Sequence, residues 1–316
     1  MRVLVTGVMG FAGSHLAEAL LAQGNHHVIG LVRRVEWPDS CRHLAAQVEL
    51  HQCDLGARER LEQIVRAVQP ERIYHLAGYP HVGRSFQEAD AAWQGNLTAT
   101  RNLYDAVASW GGRPRILFVG SGLVYGDSVD SDGCTENDLL RPENPYAASK
   151  AAADLVSYQY TRYPGLDIVR VRPFNHIGPR QAPQFAVSSF ARQLTAIKRG
   201  QQPPILQAGN LQPKRDLTDV RDVVTAYMLV LERGRTGEAY NVGSGVSYSI
   251  QEVLERLIAL SGVAVEVRQT ANLLRAADAA NIRANAGKLR SEMGWSPRFS
   301  LDQTLIDILA FWRERS

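Results

Sequence analysis

Apolar positions in the first 175 residues switch between two periods, and that switching is the main structural signal in the chain. Met1 to Thr6 is a short Val-rich run that reads as a strand. After a Gly-rich turn, Phe11 to Ala22 places Leu16, Ala17, Leu20 and Leu21 at helical spacing. The same logic predicts strands at His27–Val32, Val48–His51, Arg72–Leu76, Arg115–Val119 and Asp167–Arg172. Helices are predicted at Arg58–Val68, at Ala91–Ser109, and from Tyr146 to about Tyr160. Strand and helix alternating through short connections imply a parallel, doubly wound α/β sheet covered on both faces.

Beyond Pro173 the pattern changes. Pro, Gln and Gly punctuate Gly178 to Pro213 around one helix, Phe185–Lys198. A helix at Val220–Glu232, an apolar segment at Tyr240–Gly245 and a run of short helices and strands follow. The expected division is a nucleotide-binding domain over 1–175, with 218–242 packing back onto it, and a smaller α/β substrate lobe made of 176–217 and 243–316.

Composition narrows the class. Of 316 residues, 45% are hydrophobic and 21% charged, and no apolar run approaches the roughly 20 residues a bilayer span needs. A soluble globular protein is therefore expected, without membrane association. MRVLVTG runs directly into the Gly-rich turn and lacks the apolar stretch of a signal peptide, so the mature chain is expected to start there. Cys41, Cys53 and Cys134 have no metal-ligand or disulfide spacing, which suits a reducing cytoplasm and predicts no metal. The formal charge of +3 is spread along the chain, so no nucleic-acid footprint is expected.

Candidate chemistry begins at the first turn. Gly7, Gly10 and Gly13 are spaced GxxGxxG between the first strand and the first helix. There they would allow a tight turn and bring backbone N–H groups, including those of Phe11 and Ala12, against a pyrophosphate at the helix N-terminus. An NAD-binding chain usually ends its second strand on a carboxylate that takes the adenosine ribose. Here Arg33 and Arg34 stand in that place, two guanidiniums suited to the 2′-phosphate of NADP. Farther on, Tyr146 and Lys150 are one helical turn apart. An ammonium beside a phenol, together with a positive nicotinamide, would stabilise the phenolate and make Tyr146 useful near neutral pH. Ser121, just after the fifth strand, would hydrogen-bond the reacting oxygen.

Four stretches, TGVMGFAG, HLAG (His75–Gly78), SGLVYG (Ser121–Gly126) and NPYAASK, together resemble the extended short-chain dehydrogenase/reductase family, which acts on nucleotide sugars. The resemblance spans essentially the whole chain. It implies a Rossmann-type nucleotide domain and a C-terminal sugar-nucleotide lobe, with Ser121, Tyr146 and Lys150 as the catalytic triad. It also implies cofactor contacts from Leu76, Ala77 and Gly78, and adenine contacts from Asp54 and Leu55. Arg172–Arg180 (RPFNHIGPR), Gly209–Leu211, Lys214–Asp216, Leu31–Arg34 and His81–Phe86 are similar to the branch of GDP-mannose 4,6-dehydratases and GDP-4-keto-6-deoxy-mannose reductases. By that likeness Ser85 faces the substrate, Asn175 reaches the diphosphate, Arg215 a phosphate, and Arg275 with Asp278 the phosphate and ribose of the nucleotide. Family members commonly pair two helices of the nucleotide domain into a homodimer.

The chain departs from the dehydratases at one place. Elimination of the C6 hydroxyl needs a base for the C5 proton and an acid for the leaving oxygen, and in the family's dehydratases these are carboxylates directly after the serine or threonine. Here Gly122 and Leu123 occupy those positions, and Asp127 lies too far along the loop to substitute. What remains is NADPH-dependent reduction of a 4-keto group, with GDP-D-rhamnose the product implied by resemblance. A nucleotide-sugar 4-epimerase holding NAD uses the same triad and needs no carboxylates, so it stays open; the missing acid after the second strand favours the reductase. A binding protein without turnover is disfavoured by the intact triad.

Overall fold

The computed structural model describes residues 1–128, 132–270 and 279–315. The chain opens with β1 (Arg2–Thr6), α1 (Phe11–Ala22), β2 (His27–Val32), β3 (Glu49–Gln52), α2 (Arg58–Val68) and β4 (Arg72–His75). It continues with α3 (Ala89–Trp93), α4 (Ala99–Trp110), β5 (Arg115–Val119), α5 (Pro145–Arg162) and β6 (Ile168–Pro173). Next come β7 (His176–Ile177), α6 (Ala186–Lys198), β8 (Ile205–Ala208), β9 (Lys214–Asp216), β10 (Thr218–Asp219), α7 (Val220–Arg233) and β11 (Ala239–Val242). The described chain ends with β12 (Ser247–Ser249), α8 (Ile250–Ser261), β13 (Glu266–Gln269), β14 (Asn281–Ile282), α9 (Gly287–Met293) and α10 (Leu301–Arg315).

Seven of these strands form one parallel sheet in the order β11-β6-β5-β4-β1-β2-β3. This is the doubly wound Rossmann arrangement: the order reverses between β1 and β4, leaving a crevice at the C-terminal ends of the strands. Every residue of β6 and β11 is buried, including the polar Arg170, Arg172 and Asn241, which are paired by hydrogen bonds. Leu16 and Leu20 of α1 and Val223, Tyr227 and Val230 of α7 pack on one face. Leu61 and Val65 of α2, Leu103 and Val107 of α4 and Ala153 of α5 pack on the other. Beyond the sheet, α6, α8, α10 and β8 enclose a second core around Phe190, Leu194, Leu206, Leu257 and Ile308.

Two stretches differ from the periodicity. The helix expected over 91–109 is present with one turn widened: α3 runs on from Trp93 through a π turn, Gln94–Thr98, directly into α4 at Ala99 with helical backbone at each junction. The cause is Asn96, whose buried side chain accepts from the Tyr79 N–H at 2.9 Å and donates to Ser149 Oγ at 2.9 Å. Gly95 gives the room, since a Cβ there would lie 3.2 Å from Tyr79. The crossover between β2 and β3 holds only a short 3-10 segment, Asp39–Leu44, so this edge of the sheet is reached without a long helix. The start of α5 is set locally by Pro145 in the first turn and Asn144 Oδ1, which accepts from the Ala147 N–H at 2.9 Å.

His75, at the end of β4, is fully buried between two threonines: Thr6 Oγ1 is 2.8 Å from its Nδ1 and Thr100 Oγ1 2.9 Å from its Nε2. Thr6 already accepts from the Ala77 N–H and Thr100 donates to the Asn96 carbonyl, so the ring accepts at Nδ1 and donates from Nε2 as a neutral imidazole. Burial, aided by the Lys150 charge, lowers its pKa to about 3; burial and Arg180 lower that of His15 to about 4. Both folded values lie below the unfolded 6.5, so their contribution is complete above pH 6.5 and is lost as the pH falls toward 4. Each buried ring adds a slope of about 1.4 kcal/mol per pH unit in that window. Denaturant unfolding followed between pH 6 and 5 is expected to show His75→Gln with a slope shallower by about that amount; an unchanged slope would place the titration elsewhere.

Candidate active site

Neighbouring strands end in one row, and the sequence-predicted residues gather there. The Gly7 N–H donates to the Leu31 carbonyl and the Cys53 N–H to the Val32 carbonyl. This brings the Gly-rich turn after β1, Arg33 and Arg34 after β2, and Asp54 after β3 to the same edge. Leu76–Gly78 leave β4 there, Ser121 leaves β5 and Asn175 leaves β6.

The Gly-rich turn is a cradle that side chains would fill. Gly7 adopts φ +74, and a Cβ on it would lie 3.0 Å from the Ala77 nitrogen; a Cβ on Gly13 would be driven into the Gly7 carbonyl. Gly10 precedes α1 with no side-chain cap, so the amides of the first turn, Phe11, Ala12 and Gly13, keep their N–H groups for an anion. A dinucleotide pyrophosphate fits this cradle. Arg33 and Arg34 are exposed and enter no ion pair among the described residues. The Asp54 carboxylate accepts from the Gly56 N–H, and the Leu55 carbonyl accepts from Asn102 Nδ2 at 2.8 Å.

Ser121 Oγ accepts from the Leu123 N–H at 3.2 Å, which caps a one-turn 3-10 segment, Gly122–Tyr125. Tyr146 and Lys150 come from the first turns of α5. The Lys150 ammonium donates to the Val119 carbonyl at 3.0 Å, and burial alone lowers its pKa to about 8. A Cβ on Gly78 would stand 2.5 Å from Asn96 Oδ1 and 3.3 Å from Lys150 Nζ, so the turn after β4 passes directly over both. Burial raises the Tyr146 phenol, while its hydrogen bond with Ser121 acts in the opposite sense.

The substrate-side residues divide. Ser85 is fully buried, its hydroxyl donating to the Val82 carbonyl at 2.7 Å. Asn175 is half-buried; its carbonyl takes the Thr218 N–H, and its side-chain amide has no hydrogen-bond partner among the described residues. Arg215 is buried and donates to the carbonyls of Lys214 and Ala279 at 2.7 and 2.8 Å. Arg275 and Asp278 lie outside the described residues.

Phe174 was missed in the sequence reading, as was Asn96. A Cβ on Gly122 would meet three atoms of the Phe174 ring at 2.7–2.9 Å, and that ring stacks on Tyr125 with centroids 6.1 Å apart. The position where a dehydratase would carry a carboxylate is thus occupied by an aromatic wall. Asp127 is turned away, accepting from the Asn281 N–H at 3.1 Å. Asn96 had one readable signal, a Gly-Asn pair inside a helical run, where both residues are poor helix formers.

Residues 4–308 match the family model described as GDP-mannose 4,6 dehydratase. GDP-6-deoxy-D-mannose reductase from Pseudomonas aeruginosa is 34% identical over 315 residues, covering 99% of this chain and 98% of the relative. The solved structure of RMD from Pseudomonas aeruginosa complexed with NADPH is similar at TM-score 0.86 and 32% identity, over 100% of this chain and 99% of that one. UDP-glucose 4-epimerase from Thermus thermophilus, complexed with NAD, is similar at TM-score 0.89 and 30% identity, over the whole of both chains. With its dinucleotide cradle, its tyrosine–lysine helix and a match along almost its entire length, the chain belongs to the GDP-mannose 4,6-dehydratase family of extended short-chain dehydrogenases/reductases.

Proposed function

We propose that this protein is an NADPH-dependent reductase of the 4-keto group of a GDP-linked 4-keto-6-deoxyhexose, converting GDP-4-keto-6-deoxy-D-mannose to GDP-D-rhamnose. The observation that carries the reading is Gly122 under the Phe174 ring. It leaves the hydride-transfer residues in place and gives elimination no acid or base beside Ser121. The reductase at 34% identity and the NADPH-bound structure support it. The fold by itself does not separate reduction from epimerisation, because the 4-epimerase matches at TM-score 0.89. Arg33 and Arg34, standing where an NAD-binding chain carries a carboxylate after its second strand, support reduction with NADPH.

NADPH, when bound, supplies the hydride delivered to C4 of the sugar. The amides of Phe11, Ala12 and Gly13 would hold its pyrophosphate, with Gly7 and Gly10 shaping the turn that admits it, Arg33 and Arg34 the 2′-phosphate, Asp54 and Leu55 the adenine side. Leu76, Ala77, Gly78 and Lys150 would hold the nicotinamide side. Ser121 and Tyr146 orient the keto oxygen, and Tyr146 gives its proton to that oxygen as it becomes an alcohol. The Lys150 ammonium stabilises the phenolate left behind. Ser85, Asn175, Arg215, Arg275 and Asp278 would take the nucleotide sugar, the Asn175 amide being the one described as unengaged.

The working unit in this reading is a homodimer. Ala148, Ala152, Leu155 and Tyr158 follow one side of α5, and Leu155 and Tyr158 are exposed large apolar residues on a helix whose other side is buried. Three free, buried cysteines suit the cytoplasm.

The reaction assay is direct. With GDP-4-keto-6-deoxy-D-mannose the protein is expected to consume NADPH in equal amount and form a GDP-6-deoxyhexose; with GDP-mannose alone it should form no keto sugar. Accumulation of keto sugar from GDP-mannose would overturn the assignment. Tyr146→Phe keeps the ring and loses the proton, so turnover should drop by at least about 10²-fold with NADPH still bound, as read by fluorescence titration; full activity would reject the mechanism. For the cofactor, Arg33→Asp is expected to invert the preference for NADPH over NADH in kcat/KM. A wild-type protein that prefers NADH, or purifies with NAD that does not exchange, would favour the epimerase.

A further inference from the structure

Tyr146, Lys150 and Asp154 succeed one another at four-residue spacing along α5, and only the first two touch the reaction as proposed. Asp154 is wholly buried. Its carboxylate accepts from Arg172 Nε at 3.0 Å and Nη2 at 2.9 Å, and also from Arg170 Nη1. It lies against the exit of β5: a Cβ on Gly120 would stand 3.4 Å from Asp154 Oδ2. One turn earlier, Lys150 grips the Val119 carbonyl. One turn of α5 therefore bonds Val119, the next lies against Gly120, and the Gly120 N–H itself donates to the Val171 carbonyl at 2.8 Å.

Arg172 continues the chain of contacts on its other side. Its Nη1 donates to the Tyr125 hydroxyl at 2.7 Å and to the Glu136 carbonyl at 3.3 Å, and its guanidinium lies over the Tyr125 ring, 5.2 Å from the centroid. Tyr125 ends the one-turn segment that Ser121 begins. Its hydroxyl donates to Asn241 Oδ1 at 2.8 Å, and Asn241 Nδ2 donates to the Cys134 carbonyl at 2.8 Å. The loop that carries Ser121 is thus fastened at its start by Lys150 on the Val119 carbonyl and by the Gly120 N–H on the Val171 carbonyl, and at its end, through Tyr125, by Arg172 and Asn241.

We propose that Arg172, held by Asp154 and braced by Tyr125, is a positioning residue that fixes the Ser121 hydroxyl against the Tyr146 phenol. The assignment rests on the reductase reading for its kinetic consequence but not for its geometry. A buried carboxylate between two guanidiniums has no freedom to turn, so the network transmits the place of α5 to the Ser121 loop. Ser121 leaves β5 and Tyr146 stands on α5, so how closely the two hydroxyls approach depends on that transmission. Loss of one hydroxyl in the network lets the far end of the loop move while the apolar packing stays.

Asp154→Asn would strand two buried guanidiniums and risks unfolding, so Tyr125→Phe is the variant of choice: it keeps the ring stacked on Phe174 and removes only the link from Arg172 to Asn241. Two readings are taken. Steady-state kinetics with NADPH and the keto sugar are expected to show kcat lower by about tenfold, with both KM values within about twofold of wild type. Ultraviolet titration of the ligand-free protein, compared with the matching Tyr146→Phe protein, isolates the Tyr146 phenolate from the other tyrosines. In the Tyr125→Phe background its midpoint is expected to rise by at least about half a pH unit, because the Ser121 hydrogen bond that favours the phenolate is loosened. A Tyr146 midpoint that does not move overturns the proposal, whatever happens to kcat or the melting temperature. If wild-type protein fails to reduce the keto sugar, the reductase reading falls, and the titration still decides the positioning role.

Discussion

Lack of room at the exit of β5 governs the site. Ser121 is flanked by glycines whose missing side chains are filled on both sides: Gly120 by the Val171 carbonyl and the Asp154 carboxylate, Gly122 by the Phe174 ring. Packing at interior density leaves the backbone one path through this gap, and that path sets where the Ser121 hydroxyl points. The same crowding decides the chemistry. An acid at 122 would have to displace an aromatic ring already stacked on Tyr125, so the packing of the wall, and not one side-chain identity alone, keeps a carboxylate from this position.

Charge follows from the same burial. Lys150 lies in the interior with a backbone carbonyl as its partner, and desolvation brings its pKa down to about 8; it still carries its proton at neutral pH but holds it weakly. His75, a neighbour through the turn after β4, is held neutral, so it adds no second positive charge. Burial pushes the Tyr146 phenol up from its ordinary value. One ammonium, a neutral imidazole and a neutral phenol form a site ready to donate a proton, and a negative charge growing on Tyr146 is what Lys150 would meet in a low-dielectric setting where the interaction is strong.

Much of this was legible in the chain because it rests on local rules. Short continuous apolar runs marked β1, β2 and β5; glycine spacing marked the cradle, since only glycine tolerates the backbone approach at Gly7 and Gly13; Asn144 and Pro145 mark the start of α5. The unread parts depend on residues far apart in sequence. Phe174 meets Gly122 only after β6 is laid beside β5, and no pattern around either residue announces the contact. Asn96 widens one turn of its helix to satisfy the Tyr79 N–H and Ser149, a tertiary demand that overrides helical periodicity.

The chain beyond β6 follows a different economy, and three carboxylates explain it. Asp216, Asp219 and Asp222 recur every third residue, and all are buried. Asp216 accepts from the backbone of Ser244, Gly245 and Ala284, Asp219 from Arg221 and Thr304, and Asp222 from the backbone of Arg298 and Phe299. Burial raises the Asp216 carboxyl while those donors oppose it. Strands β9, β10, β12 and β14 are two or three residues long, too short for sheet pairing to order this region alone. Charge-assisted bonds to backbone N–H groups, each roughly twice as strong as a neutral one, substitute for the missing ladders. They tie four returning segments to the stretch that leads into α7 and back to the main sheet through β11. Arg215, next to Asp216, is thereby held at the same junction, so the residue proposed to meet a substrate phosphate is placed by the bonds that join the C-terminal segments to the nucleotide-binding sheet.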